Sequence, residues 1–124
     1  MRKIVIIGAG SGFGRRLSLD IMARESLRDS TIALCDVHDG RLGKLTSYLE
    51  RAVEKYDLPT QIVASTDRHE LLPDADYVIT SVAVGGAAYS GFPFTAEKEI
   101  PAKYGIDQSV ADTIGVGGVF RFLR

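Results

Sequence analysis

Residues 3–17 read KIVIIGAGSGFGRRL: an apolar run meets four glycines within seven residues, and the chain then turns charged. The uninterrupted β-branched run Ile4–Ile7 predicts a strand covered on both faces. Gly8–Gly14 then turns the chain into a helix over about residues 14–28, on which Leu17 and Ile21 share a face. A strand, a tight turn and a helix in this order leave the helix's first amides and its positive dipole end pointing outward, a ready anion site. Glycines belong in such a turn because a Cβ would block the backbone's approach to a pyrophosphate.

The remaining pattern repeats the same unit. A second strand, Thr31–Cys35, ends at Asp36. Asp39-Gly40 reads as a helix start with Asp39 as the cap, and Leu42, Leu45, Leu49, Ala52 and Val53 then form one apolar stripe. Pro59 closes that unit, Gln61–Ser65 reads as a third strand, 66–74 as a short polar segment, and Tyr77–Val82 as a fourth strand. Strands alternating with helices imply right-handed parallel βαβ units: an α/β, Rossmann-like parallel sheet with helices on both faces. About four strands are expected here, where a full doubly wound fold has about six, so the chain reads as the first part of a larger protein. Beyond residue 86 the pattern changes. GGAAYSGFPF reads as a long loop, TAEKEIPAKYG as a helix interrupted near Pro101, and TIGVGGVFRFLR as a second glycine turn entering a helix. The expected division is 1–86 for the nucleotide-binding unit and 87–124 for the segment after it.

The opening glycines fit two fingerprints. Gly8 and Gly10 supply the first two positions of G-x-G-x-x-G, but the third is Phe13. Gly8, Gly12 and Gly14 read instead as G-x-x-x-G-x-G, the spacing of short-chain dehydrogenases, and a turn without any ligand is the bland alternative. Asp36 favours a dinucleotide, because a carboxylate at the end of the second strand accepts both ribose hydroxyls of the adenosine half. It would repel a 2′-phosphate, which favours NAD over NADP. Enzymes using S-adenosylmethionine place an acid similarly, so a methyltransferase stays open at this point. The short-chain reading lacks support: no lysine (3, 44, 55, 98, 103) follows a tyrosine by four, and 80–86 read TSVAVGG where Asn-Asn-Ala-Gly is expected.

Composition removes other classes. A formal net charge of −1 offers no basic field for nucleic acid, and no apolar run approaches the roughly 20 residues of a membrane span. One cysteine excludes an internal disulfide and makes a reducing cytoplasm the expected location. The CDVH cluster of Cys35, Asp36 and His38 does not read as a metal site, because Cys35 alternates into a buried face; His69 reads as an exposed surface histidine.

The second half carries a resemblance. EIPAKYGI (99–106) followed by ADTIGVGGVFRFLR (111–124), after IGAGS, IALCD and the VGG of 84–86, resembles the family 4 glycoside hydrolases over essentially all of the chain. That family comprises NAD- and divalent-metal-dependent α-galactosidases, α-glucosidases, α-glucuronidases and 6-phospho-glucosidases. The resemblance implies hydrolysis of an O-glycosidic bond through oxidation at the sugar's C3, elimination, addition of water and reduction, with NAD regenerated in each turnover and a metal such as Mn2+ polarising the ketone. By position match it implies that Gly8, Gly10, Ser11 and Gly12 hold the pyrophosphate and Asp36 the adenosine ribose. Ser81, Val82 and Val84 would lie beside the nicotinamide ribose, and Gly85, Gly86, Gly117 and Gly118 would border the sugar pocket. No catalytic or metal-binding residue of the family falls within this chain, so the 124 residues alone are expected to be inactive. A homo-oligomer is implied for the full-length protein.

The phosphosugar branch of the family carries an arginine shortly before its IP motif, whereas residues 69–120 here contain none and the aligned position is near Phe94. The expected substrate is therefore an unphosphorylated hexoside or uronide. Tyr89, Phe92, Phe94 and Tyr104 are candidates to stack on a sugar face or to pack against further protein. The competing readings are a stand-alone NAD-binding module and a truncated NAD-dependent, short-chain-like dehydrogenase.

Overall fold

In a computed structural model the described residues are 1–82, 94–107, 119 and 123. The elements run β1 (Arg2–Ile7), α1 (Gly12–Ala23), β2 (Ser30–Cys35), α2 (Asp39–Tyr56), β3 (Gln61–Ser65), α3 (Arg68–Leu71), β4 (Tyr77–Thr80) and α4 (Phe94–Lys103). The chain divides into two units, Met1–Val82 and Ala83–Arg124. In the first, four parallel strands are ordered β3-β2-β1-β4, with Val5 level with Ala33 and Val78, and Ala33 level with Val63. This is the truncated Rossmann-like sheet that the repeating strand–helix pattern predicts.

Strand alternation separates two cores. Ile4, Ile6, Ile32 and Leu34 face α1 and α2, where Ile21, Met22, Leu42, Leu45 and Leu49 close over them and Leu17, Ala52 and Val53 pack at the margin. Val5, Ala33 and Cys35 face the other way, against Leu71, with Ile7, Leu72 and Ala75 at the margin. Arg15 lies over the Tyr48 ring, 5.9 Å from its centroid, and ties α1 to α2. β4 is fastened to β1 at its start, where Lys3 N–H donates to Asp76 Oδ2 at 2.7 Å and Asp76 N–H returns a bond to the Lys3 carbonyl.

Several boundaries differ from the sequence reading. α1 ends at Ala23 rather than near 28, because Arg24 turns extended and Leu27 and Arg28 fold back onto its carbonyl. The segment 66–74 is not merely polar. It contains α3, capped by the Asp67 carboxylate on the His69 N–H at 2.8 Å, and Leu71 closes the second core. Asp39 does not cap α2: His38 occupies the cap position without a side-chain bond, and Asp39 is the first helical residue, where its charge still suits the dipole. β4 stops at Thr80, two residues short of expectation. In the second unit α4 continues through Pro101 to Lys103, with Pro101 near its end where few amides remain to be disturbed. Of the expected helix over the final residues only 119 and 123 are described, with Leu123 N–H donating to the Val119 carbonyl at 3.1 Å, and the loop aromatics Tyr89 and Phe92 lie outside the described residues; Tyr104 is exposed.

Leu49 is fully buried between α2 and the sheet. Leu49→Ala should cost about 2–5 kcal/mol, from lost transfer energy and the cavity left behind. The check is a urea titration whose midpoint falls while its slope is unchanged; a midpoint within error of the parent would show that the α2 packing is wrong.

Candidate functional site

The site lies at the carboxyl ends of the strands, where a doubly wound sheet opens its ligand crevice. β1 runs out at Ile7, and Gly8 takes a left-handed φ of 86°. Its N–H and that of Ala9 both donate to the Cys35 carbonyl, at 2.8 and 3.0 Å, so the turn begins hooked onto the end of β2. On the other side Ser81 N–H donates to the Ile7 carbonyl at 2.8 Å. A Cβ on Gly8 would strike the Ser81 carbonyl.

Gly10 is held by a side chain. Its N–H donates to Asp36 Oδ2 at 2.8 Å, while Asp36 Oδ1 accepts the His38 N–H at 2.9 Å. A Cβ on Gly10 would lie 2.8 Å from that same Oδ2 and 3.1 Å from the Cβ of Arg41. At Gly14 a Cβ would strike the Ala9 carbonyl, because the first turn of α1 rides directly on the turn. A Cβ on Gly12 would meet nothing within 4 Å. The glycines that are sterically required are thus 8, 10 and 14, a spacing that matches neither fingerprint as written. Gly14, one residue beyond the expected third position, performs the helix-packing role. Phe13, at that third position, points away from the packing and is 69% exposed.

The helix start is left open to an anion. Ser11 adopts extended backbone and its hydroxyl accepts from Gly14 N–H at 3.4 Å, while Gly12 and Phe13 precede the first carbonyl-bonded amide of α1. No acidic residue stands in the first turn of α1. The carboxylate that stands nearby is Asp36, bound to the Gly10 N–H. Asp36 is half-buried, and Val37 beside it is an apolar side chain 85% exposed. At the end of β3, Ser65 Oγ donates to Glu70 Oε2 at 2.6 Å and accepts from Asp67 N–H at 3.0 Å. Burial pushes the Cys35 thiol above its ordinary pKa, with Asp36 and Asp67 adding to the rise and Arg68 opposing it. That thiol is protonated at neutral pH and is a packing group of the second core.

Of the expected site residues, Gly8, Gly10, Ser11, Gly12 and Asp36 come together at this edge, and Ser81 follows β4 beside Gly8, with Val82 next to it and partly exposed. Val84, Gly85, Gly86, Gly117 and Gly118 lie outside the described residues. From sequence, Gly14 stands out only within the short-chain spacing and His38 only in a cluster that does not read as a metal site, and Arg41 does not stand out. The spacing Gly10-x-x-x-Gly14 carries a signal for the first; the other two depend on how α2 starts. His69 is exposed, and among the described residues no group of three or more His, Cys, Asp or Glu could hold a metal ion. No helix of the described residues is long and apolar enough to cross a membrane.

Comparison with known proteins returns the family profile described as "Family 4 glycosyl hydrolase", which matches residues 3–124. An alpha-galactosidase of Rhizobium meliloti (strain 1021) is 45% identical over 118 residues, 94% of this chain and 23% of that protein. An alpha-galactosidase of Bacillus subtilis (strain 168) is 38% identical over 125 residues, 100% of this chain and 28% of that protein. Among solved structures, a 6-phospho-beta glucosidase from Thermotoga maritima, determined with manganese, NAD+ and glucose-6-phosphate, superposes with a TM-score of 0.68 at 26% identity, over 99% of this chain and 28% of that one. The chain spans about a quarter of the length of these relatives.

Proposed function

The chain belongs to family 4 of the glycosyl hydrolases, and from that premise we propose that it is the NAD-binding portion of an O-glycoside hydrolase of that family. The observation that carries this reading is the pairing of Asp36 with Gly10 at the mouth of a turn whose following helix amides, Gly12 and Phe13, have no hydrogen-bond partner among the described residues. A pyrophosphate fits there: at Gly12 a Cβ would meet nothing within 4 Å, which leaves room for close approach, and the Ser11 hydroxyl with the Gly12 and Phe13 amides supplies donors. Asp36 receives the ribose hydroxyls, and exposed Val37 offers an apolar surface for the base stacked above that ribose. Ser81, Val82 and Val84 are assigned to the nicotinamide ribose, and Gly85, Gly86, Gly117 and Gly118 to the border of the sugar pocket.

When bound, NAD+ supplies a hydride acceptor for a sugar carbon and the means to return that hydride. This chain's own residues bind and orient: the turn fixes the pyrophosphate, Asp36 fixes the ribose, and the end of β4 aligns the other half of the cofactor. No catalytic residue is placed in the chain. The divalent metal that the reading requires finds no ligand set among the described residues, and the proposal places none of its ligands on them. The substrate we favour is an unphosphorylated hexoside or uronide. The two relatives at 45% and 38% identity bear the name alpha-galactosidase, and residues 69–120 contain no arginine to grip a phosphate. The structure with glucose-6-phosphate stands at 26% identity.

The test is calorimetric titration of the chain with NAD+ and, in parallel, NADP+. Binding of NAD+ with a Kd on the order of micromolar is expected. NADP+ should bind at least about tenfold more weakly, since a second anion would face the half-buried Asp36 carboxylate. Equal binding of the two, or none by a folded chain, would overturn the assignment.

A further inference from the structure

Asp36 touches three segments of chain at once. Its two oxygens accept from Gly10 N–H at 2.8 Å and from His38 N–H at 2.9 Å, which joins the β1–α1 turn to the end of β2 and the start of α2. The Cys35 carbonyl already takes the amides of Gly8 and Ala9. The three consecutive amides 8–10 therefore end on Cys35, the last residue of β2, and on Asp36, the next, and only the Gly10 bond depends on a side chain. The next amide is weakly held: Ser11 N–H reaches the Gly8 carbonyl at a stretched 3.4 Å, and a Cβ on Gly12 would meet open space. A carboxylate oxygen offers two lone-pair directions. One on each oxygen of Asp36 is taken by backbone, so the group is held against rotation with one acceptor direction left on each.

We propose that Asp36 is the positioning residue of the glycine turn, holding Gly10 and the start of α2 in place before any ligand arrives, so that its loss weakens the site instead of changing its cofactor preference. The ligand arm of this inference rests on the NAD reading; the turn-holding role does not. Were Asp36 only a source of repulsion toward a 2′-phosphate, its removal would admit NADP+. Arg41, whose side chain begins beside Gly10, would strengthen that gain. A positioning residue has the opposite consequence. Without it the turn loses its third anchor, and pyrophosphate donors and ribose acceptor are displaced together.

The experiment compares wild type, Asp36→Ala and Asp36→Asn as isotope-labelled 124-residue chains. Amide hydrogen exchange is read at Gly10 and His38 without ligand, with Val5 and Leu34 of the strands as folding controls, and NAD+ and NADP+ titrations follow. In Asp36→Ala, exchange at both Gly10 and His38 should accelerate about tenfold or more, as expected on losing a bond to a charged acceptor. The strand amides should stay protected. NAD+ affinity should fall about tenfold or more, and NADP+ affinity should not rise. Asp36→Asn keeps one acceptor oxygen and should release only one of the two amides, which keeps the test decisive if the alanine variant does not fold. Unchanged exchange at Gly10 in folded Asp36→Ala, or at both Gly10 and His38 in Asp36→Asn, overturns the proposal, and so does a rise in NADP+ binding. Should the wild type bind neither cofactor while both amides still respond to Asp36, the turn-holding role stands and the NAD reading alone fails.

Discussion

Gly14→Ala should destabilise the chain by about 3 kcal/mol, whereas Gly12→Ala should leave it unchanged or slightly more stable. The two glycines stand two residues apart at the head of one helix and have opposite surroundings. A methyl group on Gly14 would be driven into the backbone of Ala9, and neither the carbonyl nor the turn behind it can step aside, because Ala9 N–H is itself held by the Cys35 carbonyl. The helix would have to lift off the sheet, taking Leu17 and Ile21 with it. At Gly12 the methyl meets open space, and alanine restricts the unfolded chain more than glycine does. Thermal unfolding reads the contrast directly, since 1 kcal/mol shifts Tm by roughly 4–8 °C in small domains. Gly14→Ala should melt more than about 10 °C below the parent and Gly12→Ala within a few degrees of it. Equal losses at the two positions would show that the turn follows the short-chain spacing after all.

The largest combined effect on stability and binding is expected from Gly8→Ala. Its φ of 86° strains any residue with a side chain, at about 1–3 kcal/mol. The added Cβ also collides with the Ser81 carbonyl, a backbone atom held by the Ser81 bond to Ile7, for about 1–3 kcal/mol more. A total near 4 kcal/mol is a large share of the roughly 5–15 kcal/mol that holds a domain together. The variant should unfold at a much lower urea concentration, and its folded fraction should bind NAD+ at least about tenfold more weakly, because the ends of β1 and β4 are forced apart at the site. Leu49→Ala is the control. It removes comparable stability through the packing of α2 and not at the Gly8–Ser81 approach, and its folded molecules should bind NAD+ normally. If Gly8→Ala behaves like Leu49→Ala in the titration, the Gly8–Ser81 approach has no part in the site.

Much of this was readable from residue order. The β-branched run before Gly8, the leucine stripe of α2 and the strand Gln61–Ser65 are set by periodicity, and each appears where expected. Periodicity fails where an element is shorter than its period. α3 is four residues long and buries one leucine, too little to show a stripe, and it forms because Asp67 caps it and the second face of the sheet needs a cover. The start of α2 escaped for a different reason. Asp39 has the right chemistry for a cap, but Asp36 engages the His38 amide and the helix starts one residue earlier, with His38 at the cap position.

By itself the amino-acid sequence determined the alternation of strands and helices, the parallel sheet, the family, and the presence of a glycine turn ahead of an acid at the end of the second strand. These follow from local rules: side-chain period, β-branching, and the glycine positions of a tight turn. Only the tertiary structure decided which glycines are required and what Asp36 holds. A glycine is indispensable when something lies where its Cβ would be, and the Ser81 carbonyl, the Asp36 carboxylate and the Ala9 backbone reach Gly8, Gly10 and Gly14 through packing and sheet pairing. The partners from β2 and β4 are separated from the turn by more than twenty residues of sequence, so no local spacing rule could have named them.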